Sequence, residues 1–343
     1  MKVLVLTTSY PRWPGDPAGS FVASMVAAAR SRGVDVEVVS PASFRHYGLA
    51  YGHGIVGNIR ARPWLALLVP LFLWNFGRAA AGRDCDLVHA HWLAAGAVAA
   101  TLRRPYVVQV WGTDMELARR ASWAVRWILR RARLVIGASA FLAEGARALG
   151  ARQVRIVPTA VPIPEAVGEP EEPPHVLFAG RLSREKGIED FLAATEGLPR
   201  VVVGAGPVPV PESVGALPPD EIGAYYERAA VVCVPSRREG YGMVAREAMA
   251  YGRPVVGTPV GGLVDAIDDE VTGLLVDRAG LCGAIEQLLA DSAMRRRFGA
   301  AAREKARREW SERSSARAIA AAYEDVRSEP RTNARRRVPS RSR

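Results

Sequence analysis

The strongest constraint on the fold is a regular alternation of short apolar runs with longer Ala- and Arg-rich stretches. The runs are continuously apolar, as strands are when both faces of a parallel sheet are covered. The stretches between them have helical lengths, so the rhythm predicts βαβ units. We expect strands at Lys2–Thr8, Val34–Ser40, Leu87–His91, Tyr106–Gly112, Leu134–Ser139 and Val154–Thr159, and then at His175–Gly180, Arg200–Gly204, Val231–Ser236, Pro254–Thr258 and Gly273–Asp277. The sequence therefore predicts an α/β protein with parallel sheets.

A proline-rich and acidic segment, Pro158–Pro174, interrupts this rhythm once. Such a composition is typical of a linker between domains. We therefore expect two α/β domains, at residues 1–158 and 175–310, joined by a linker at residues 159–174. Ligands of open α/β sheets bind outside the carboxyl ends of the strands, so this organisation predicts a ligand site in a cleft between the two domains.

The charge of the chain favours anionic partners. Its 343 residues carry a formal net charge of +11, of which residues 328–343, with six Arg and one Glu, account for +5. This end has no apolar periodicity and is predicted to be a disordered basic tail, from which we expect no nucleic-acid partner. The remaining positive charge suits nucleotides, pyrophosphates or acidic lipid surfaces.

The cysteines and the apolar runs predict the compartment. Three single cysteines indicate neither a disulfide framework nor a structural zinc site, and they are typical of a reducing environment. No run reaches the roughly 18 apolar residues of a membrane span. The first apolar run is also too short for the core of a signal peptide. We therefore expect a cytoplasmic protein.

The densest chemical signal is a pair of acidic residues, Glu239 and Glu247, separated by seven residues. Glu239 follows a predicted strand, and Gly240 and Gly242 allow the backbone to bend and to approach a ligand closely. A predicted helix begins at Met243, and its first N–H groups are free donors at the positive end of the helix dipole. A diphosphate can bind there without a metal ion, while the two carboxylates hold hydroxyl groups at two ends of an extended ligand. Taken singly, each glutamate is also explained as a helix-dipole partner or a solvated charge.

A second loop, Gly180–Gly187, follows another predicted strand and carries Arg181 and Lys186. A planar guanidinium and a compact ammonium together suit a diphosphate, although each alone is also explained as surface charge. The glycines of Gly204-Ala205-Gly206 follow the next strand, but the rest of a dinucleotide fingerprint is missing. The GxxxxGK[ST] pattern of a phosphate-binding P-loop does not occur in the sequence.

These motifs resemble those of retaining glycosyltransferases of family GT4, which have the GT-B fold. The similar segments are AGRLSREKG, GAGP, VPSRREGYGMVAREAMAYGRPVV and VGGLVDAI…TGLLV in the second half, and YPxxxGxxxGSFV, HAHW and VWGTD in the first. The resemblance covers residues 1–327. It implies two Rossmann-like parallel-sheet domains that face each other across a cleft. It also implies that the second domain binds a nucleotide sugar and that a C-terminal helix at 311–327 crosses back to the first.

The resemblance further implies roles for individual residues. Arg181 and Lys186 neutralise the donor diphosphate as it leaves, Glu239 holds sugar hydroxyls and Glu247 holds the ribose, so that Arg181, Lys186 and Glu239 form the expected catalytic set. The expected donor-binding set is Gly19, Gly180, Arg181, Lys186, Gly206, Glu239, Gly240, Tyr241, Gly242, Met243, Val244 and Glu247. Neither a metal ion nor another cofactor is expected. A protein base is not required either, because the leaving phosphate helps to deprotonate the acceptor.

The first domain departs from the family pattern at Trp111, where many relatives have a His before Gly-Thr-Asp. Asp114 and His91 are expected to shape the sugar or acceptor pocket together with Trp111. For His91, a hydrogen-bonded position in the core is the alternative. His89 points to the opposite face of its strand and is expected to be structural.

Two stretches of the first domain suggest membrane contact. Pro63–Phe76 is a strongly apolar run that predicts a buried or half-buried helix or, alternatively, a membrane-contacting segment. Arg119–Arg133 holds six Arg and no acidic residue. Its Trp123 and Trp127 share one helical face, which suits an anionic bilayer surface or, alternatively, packing on the sheet. The glycine-rich stretch His46–Asn58 is expected to be a mobile loop.

The sequence thus predicts a retaining glycosyltransferase that uses a UDP- or GDP-linked sugar donor and a glycan, lipid-linked or small-molecule acceptor. We also hypothesise peripheral contact with an anionic membrane, at the inner face of the plasma membrane. The alternatives are a sugar-nucleotide epimerase or phosphorylase of the same fold, and a non-catalytic nucleotide-sugar-binding subunit. The base, the sugar and the acceptor depend on pocket shape rather than on a short motif, so they stay open.

Overall fold

The computed structural model of the protein describes residues 1–328 with the exception of 14, 17, 53 and 115–121. The predicted basic tail, apart from Ser328, lies outside these residues, as do the first three residues of the predicted basic stretch Arg119–Arg133. The described chain forms two parallel sheets flanked by helices, which confirms the predicted fold class. No helix of this part of the chain combines the length and the hydropathy that crossing a bilayer requires.

Six strands form the first sheet, in the spatial order β2-β1-β3-β4-β5-β6, and every neighbouring pair is parallel. The strands are β1 (Lys2–Leu6), β2 (Asp35–Val39), β3 (Leu87–His91), β4 (Tyr106–Val110), β5 (Leu134–Gly137) and β6 (Val154–Ile156). The helices described in this half are α1 (Ser20–Arg30), α2 (Gly54–Ala61), α3 (Val69–Ala80), α4 (Trp92–Thr101), α5 (Ser122–Arg131) and α6 (Ala140–Ala148). All six predicted strands of this half are present. The inner strands β3, β4 and β5 are buried on both faces, whereas the edge strands β2 and β6 are partly exposed.

Five strands form the second sheet, in the order β11-β10-β9-β7-β8. They are β7 (Val176–Ala179), β8 (Arg200–Val203), β9 (Val231–Val234), β10 (Val255–Gly257) and β11 (Gly273–Leu275). The helices described here are α7 (Ile188–Ala194), α8 (Ile222–Arg228), α9 (Met243–Ala250), α10 (Gly262–Ala266), α11 (Leu281–Ala290), α12 (Ser292–Glu309) and α13 (Glu312–Ser328). Because β7 and β9 are parallel neighbours, the loops that follow them meet at the same edge of the sheet.

The first sheet is covered by different helices on its two faces. Helices α1 and α13 cover one face, and α3, α4 and α5 cover the other. The last helix, α13, therefore returns to the first domain after α12, which packs on α9. Tyr323 of α13 shares a 2.8 Å hydrogen bond with Nδ1 of the buried His89, and the Ser315 hydroxyl donates to the carbonyl of Pro158 at 2.8 Å.

The apolar run after β2 forms a half-buried helix. A 3-10 turn at Pro63–Leu68 precedes α3, whose Phe72 and Phe76 are buried against the sheet. On the outer side, Trp64, Leu67 and Trp74 are 58%, 82% and 64% exposed. The predicted half-buried helix is confirmed, and it leaves an apolar surface uncovered.

Two predictions for this face are wrong. The alternative in which the tryptophans of α5 pack on the sheet fails, because Trp123 is 79% exposed while Val125, Ile128 and Leu129 are buried. The predicted loop His46–Asn58 is helical at its end, where α2 begins. Asn58 stabilises the turns that precede α2. Its side-chain amide donates to the backbone carbonyls of Gly48, Leu49 and Tyr51.

Candidate active site

The side chains of Lys186 and Glu239 meet where β7 and β9 end. Lys186 Nζ lies 2.7 Å from Glu239 Oε2, and the hydroxyl of Ser236 donates to the same oxygen at 3.2 Å. Both side chains are largely shielded from solvent, since only 30% of the lysine and 13% of the glutamate are exposed. The structure thus brings together a predicted cation and a predicted acid from two neighbouring loops.

Gly187 allows the loop after β7 to approach the end of β9 closely. Gly187 has a φ of 73°, and a Cβ atom there would overlap the carbonyl oxygen of Pro235. Just before it, the Ser183 hydroxyl accepts from the backbone N–H of Lys186 and closes the turn Arg184–Lys186. The loop after β7 therefore lies directly against the end of β9, which carries Lys186 to Glu239.

The start of α9 lies immediately after the same acid. Gly242 has a φ of 83° and precedes Met243, the first residue of the helix, with Val244 next to it. No described side chain caps this first turn. The N–H groups of Gly242, Met243 and Val244 therefore stand at an uncapped, partially positive helix end, close to Glu239.

Glu247 lies in the second turn of α9 and has a specific partner. The hydroxyl of Tyr226, in α8, donates to Glu247 Oε2 at 2.8 Å. Burial raises the pKa of the Glu247 carboxyl above its ordinary value, and the hydrogen bond from Tyr226 opposes that rise. Burial and the neighbouring carboxylate raise the pKa of the Tyr226 hydroxyl as well. This pair holds a carboxylate oriented at a fixed position along α9.

Arg181 belongs to the same loop as Lys186 but extends outwards. Its side chain is 61% exposed, and Nη2 lies 3.7 Å from Glu185 Oε2. The preceding Gly180 has a φ of 137°, and its carbonyl oxygen would be overlapped by a Cβ at Gly204. A Cβ at Gly206 would overlap the backbone of Leu182. The two glycine-containing loops after β7 and β8 therefore lie in direct contact.

A cavity of about 520 Å³ opens between the two domains at Glu239. Its described lining comes from the first domain at Gly112, Thr113 and Phe141, and from the second at Glu185, Arg237, Arg238, Glu239, Gly240, Val260 and Gly261. The cavity thus lies between the loop after β4 and the loop after β9 that carries Glu239 and Gly240, which we call the donor loop. An extended ligand that contacts both domains fits this position.

The three predicted substrate residues of the first domain, His91, Trp111 and Asp114, are buried and are not among the described lining residues of the cavity. His91 is fully buried and its ring stacks on that of Trp111 at a centroid distance of 6.2 Å. The Asp114 carboxylate accepts from the backbone N–H groups of Leu93 at 3.0 Å and Trp111 at 2.9 Å. Burial raises the pKa of Asp114 to about 7. Of the described cavity lining, Gly112 and Thr113 are the residues between Trp111 and Asp114, so the structure brings their loop, and not these three side chains, to the cavity.

Two further predicted residues, Gly19 and Tyr241, stabilise the local structure of their loops. Gly19 has a φ of 66° and directly precedes α1, and a Cβ there would overlap the carbonyl of Ser9. Tyr241 is buried, and its hydroxyl donates to the carbonyl of Thr159 at the start of the linker at 2.6 Å. Tyr241 therefore links the donor loop to the start of the linker by a hydrogen bond.

Four residues near the site were not predicted from the sequence: Ser236, Tyr226, Ser139 and Asp265. Ser236 and Ser139 are the last residues of predicted strands, so their position at the strand ends was available as a signal. Tyr226 and Asp265 carry no local signal, because their partners lie 21 and 125 residues away in the sequence. Among the described residues there is no cluster of three His, Cys, Asp or Glu side chains placed to hold a metal ion.

Both halves of the chain match protein-family models. Residues 18–163 match the model described as Glycosyltransferase Family 4, and residues 173–291 match that described as Glycosyl transferases group 1. A D-inositol 3-phosphate glycosyltransferase of Acidothermus cellulolyticus is 30% identical, over 95% of this chain and 90% of the relative.

Two solved structures are similar in fold over nearly the whole chain. Sucrose-phosphate synthase from Thermosynechococcus elongatus matches with a TM-score of 0.78 at 23% identity, over 95% of this chain and 99% of that one. The HepE protein of Anabaena, solved in complex with UDP-glucose, matches with a TM-score of 0.66 at 18% identity, over 95% of this chain and 100% of that one. Both share the arrangement of two facing parallel-sheet domains.

Proposed function

This chain belongs to glycosyltransferase family 4 and moves a sugar from a nucleotide-diphosphate sugar, and we propose that it does so with retention of the anomeric configuration. The observation that carries the proposal is the 2.7 Å contact between Lys186 Nζ and Glu239 Oε2 at the edge of a cavity shared by both domains. A cation and an acid placed side by side supply what a diphosphate and a neighbouring sugar need, namely one counter-charge and one hydroxyl acceptor.

In this proposal the donor diphosphate replaces Glu239 as the ion-pair partner of Lys186. Lys186 pairs with Glu239 in the structure, and an incoming diphosphate competes for the ammonium with its greater charge. Glu239 is then released to accept from sugar hydroxyls, while the amides at the start of α9 face the phosphate oxygens. Arg181 is exposed and swings inwards to the same group, and Glu247 accepts from the ribose.

The chemical step depends on stabilising charge at the leaving diphosphate. As the bond between the anomeric carbon and the phosphate oxygen breaks, negative charge grows on that oxygen, and Lys186, Arg181 and the helix amides stabilise it. The acceptor oxygen bonds to the anomeric carbon on the same face of the sugar and passes its proton to the departing phosphate, so the configuration is retained without a protein base. We propose that these cations fulfil the role of a metal ion, so the reaction is metal-independent.

The donor base is proposed to be uracil or guanine, and the acceptor a glycan, a lipid-linked sugar or a small polar molecule. The HepE structure with UDP-glucose supports UDP sugars as the first donors to test. The similarity to a D-inositol 3-phosphate glycosyltransferase supports a small phosphorylated polyol as one acceptor to test.

The purified chain should transfer labelled sugar from one UDP or GDP sugar to an acceptor, and NMR should find the product in the donor's anomeric configuration. Addition of EDTA should leave the rate unchanged within about twofold, because cationic side chains stabilise the diphosphate. An inverted product would contradict retention. Conversion of the donor without acceptor would support the epimerase alternative, and binding without turnover of any donor would support a non-catalytic subunit.

The proposal includes peripheral contact with an anionic membrane on its cytoplasmic side. Helices α3 and α5 lie on the same face of the first sheet, both against α4. Residues 38–83 contain five Arg and no acidic residue, and α5 contains three Arg and none. Exposed tryptophans on stretches that are rich in arginine and contain no acidic residue suit the interface of an anionic bilayer.

A double variant, Trp74→Ala with Trp123→Ala, should bind vesicles that contain phosphatidylglycerol about tenfold more weakly than the native chain, because each ring removes apolar surface from the interface. Vesicle flotation measures this directly. Val271→Ala, which removes an exposed apolar side chain from the second domain, is the matched control and should change nothing. Equal binding of the native chain to neutral and anionic vesicles would count against the charge argument, and unchanged binding of the double variant against this face.

A further inference from the structure

The start of helix α6, in the first domain, is hydrogen-bonded across the cleft to the second domain. The backbone N–H of Ala140 donates to Asp265 Oδ2 at 2.7 Å, and that of Phe141 approaches the same oxygen at 3.4 Å. Next to them, the hydroxyl of Ser139 donates to the carbonyl of Gly240 at 2.7 Å. We call Ser139, Ala140, Gly240 and Asp265 the interdomain clasp.

The clasp places a carboxylate at the partially positive start of helix α6. Helix α6 has no acidic residue in its own first turn, and Ser139 caps only one of its N–H groups, that of Leu142. A carboxylate at this partially positive helix end is favourable, and Asp265 supplies it from the other domain. The bond therefore satisfies donors of one domain only when the two domains are close together.

On the second domain, helix α10 connects the clasp to the donor loop, which carries Glu239. The N–H of Gly262, the first residue of α10, donates to the carbonyl of Glu239 at 3.0 Å. A Cβ at Gly261 would overlap that same carbonyl. Asp265 lies one turn further along α10, so this short helix connects the clasp to the backbone of Glu239.

The closeness of the two domains is confirmed by a pair of facing glycines. A Cβ at Gly240 would lie 2.9 Å from the Cα of Gly112, which is nearer than real Cβ atoms approach. Gly112 lines the cavity from the first domain, and Gly240 lines it from the second. The clasp therefore holds the cavity in a closed form, in which the loop after β4 touches the loop that carries Glu239.

We propose that Asp265 and Ser139 are positioning residues that hold the cleft closed and thereby set the place of Glu239 relative to the acceptor domain. This inference rests on the proposed transfer reaction. Because the nucleotide-contacting groups proposed for the donor lie mostly on the second domain, loss of the clasp should affect transfer rather than nucleotide binding. The clasp aligns the sugar with the acceptor, and misalignment by about 1 Å costs as much as a hundredfold in rate.

The test compares Asp265→Ala and Ser139→Ala with the native chain. We expect kcat for transfer to fall by about tenfold to a hundredfold in each. The dissociation constant for UDP or GDP, whichever the native chain binds, should stay within about twofold in calorimetric titration. Ser139→Thr keeps the hydroxyl and should retain most of the activity. Val264→Ala, at an exposed position of the same short helix, should behave as the native chain.

A second readout does not depend on turnover. Small-angle X-ray scattering should give a larger radius of gyration for the double variant of Asp265 and Ser139 than for the native chain, because the domains open. Unchanged kcat and unchanged radius would overturn the clasp. A parallel loss of nucleotide binding and melting temperature would also overturn it, since it would assign these residues to folding. If the native chain transfers no sugar, the proposed function fails while the scattering experiment still decides whether the clasp closes the domains.

Discussion

A Lys186→Ala variant should lose turnover by about a hundredfold to a thousandfold, the range found when one group that stabilises a developing negative charge is removed. Lys186 is the cation that the structure places closest to Glu239, and both side chains are mostly shielded from water. In such surroundings a charge interaction with the leaving diphosphate is stronger than at the surface. The loss should therefore fall on kcat more than on the binding of the free nucleotide.

Steady-state kinetics with the identified donor measures this effect, and Arg184→Ala is its control. Arg184 lies in the same turn, two residues away, but its side chain is 79% exposed and pairs with Glu189. Removing it should change kcat by less than about twofold, because an exposed ion pair contributes little. Arg181→Ala should also lose turnover, since its guanidinium is proposed to reach the diphosphate. Full activity in either the Arg181 or the Lys186 variant would contradict the diphosphate role.

The fold was predictable because its signals are local. Most of the eleven strands are largely apolar, although β2 contains Glu37 and β3 contains two histidines, and the proline-rich segment separates two sets of strands. The proximity of Lys186 and Glu239 was predictable as well, since both follow strands and parallel strands end at one edge of a sheet. The positions of the two residues at the ends of predicted strands were sufficient, with no side-chain geometry required.

Contacts that join distant segments were not predictable in this way. Asp114 and His91 have residue types that suit a substrate pocket, but their placement depends on how α4 and Trp111 pack over them. Asp114 accepts from two backbone N–H groups and so stabilises the start of α4 against the loop after β4. Asp265 is an ordinary helical acid in the sequence, and its partner becomes apparent only when the two domains are placed face to face.

Glu247→Ala should weaken binding of the nucleotide sugar by about tenfold to 150-fold, which corresponds to the roughly 1.5–3 kcal/mol of a hydrogen bond to a charged group. The reason is the pre-set geometry of the carboxylate: Tyr226 holds Oε2, and Oε1 is left to accept from a ribose hydroxyl. Calorimetric titration with the free nucleotide measures the change. Glu227→Ala, which alters a carboxylate at the end of α8 that bonds to the linker at Gly168, serves as the control and should bind normally.

The pH dependence of nucleotide binding distinguishes this role from a structural one. Burial raises the pKa of Glu247, and the hydrogen bond from Tyr226 lowers it, so the ionised form depends on that hydroxyl. An ionised carboxylate is the better acceptor, so affinity should fall as the pH falls through this pKa. Tyr226→Phe removes the opposing hydrogen bond, which raises the pKa further, and the loss of affinity should then begin at a higher pH. A pH profile that is identical in Tyr226→Phe and the native chain would show that Glu247 does not bind the nucleotide as a carboxylate, because Glu247 is the group to which the Tyr226 hydroxyl donates.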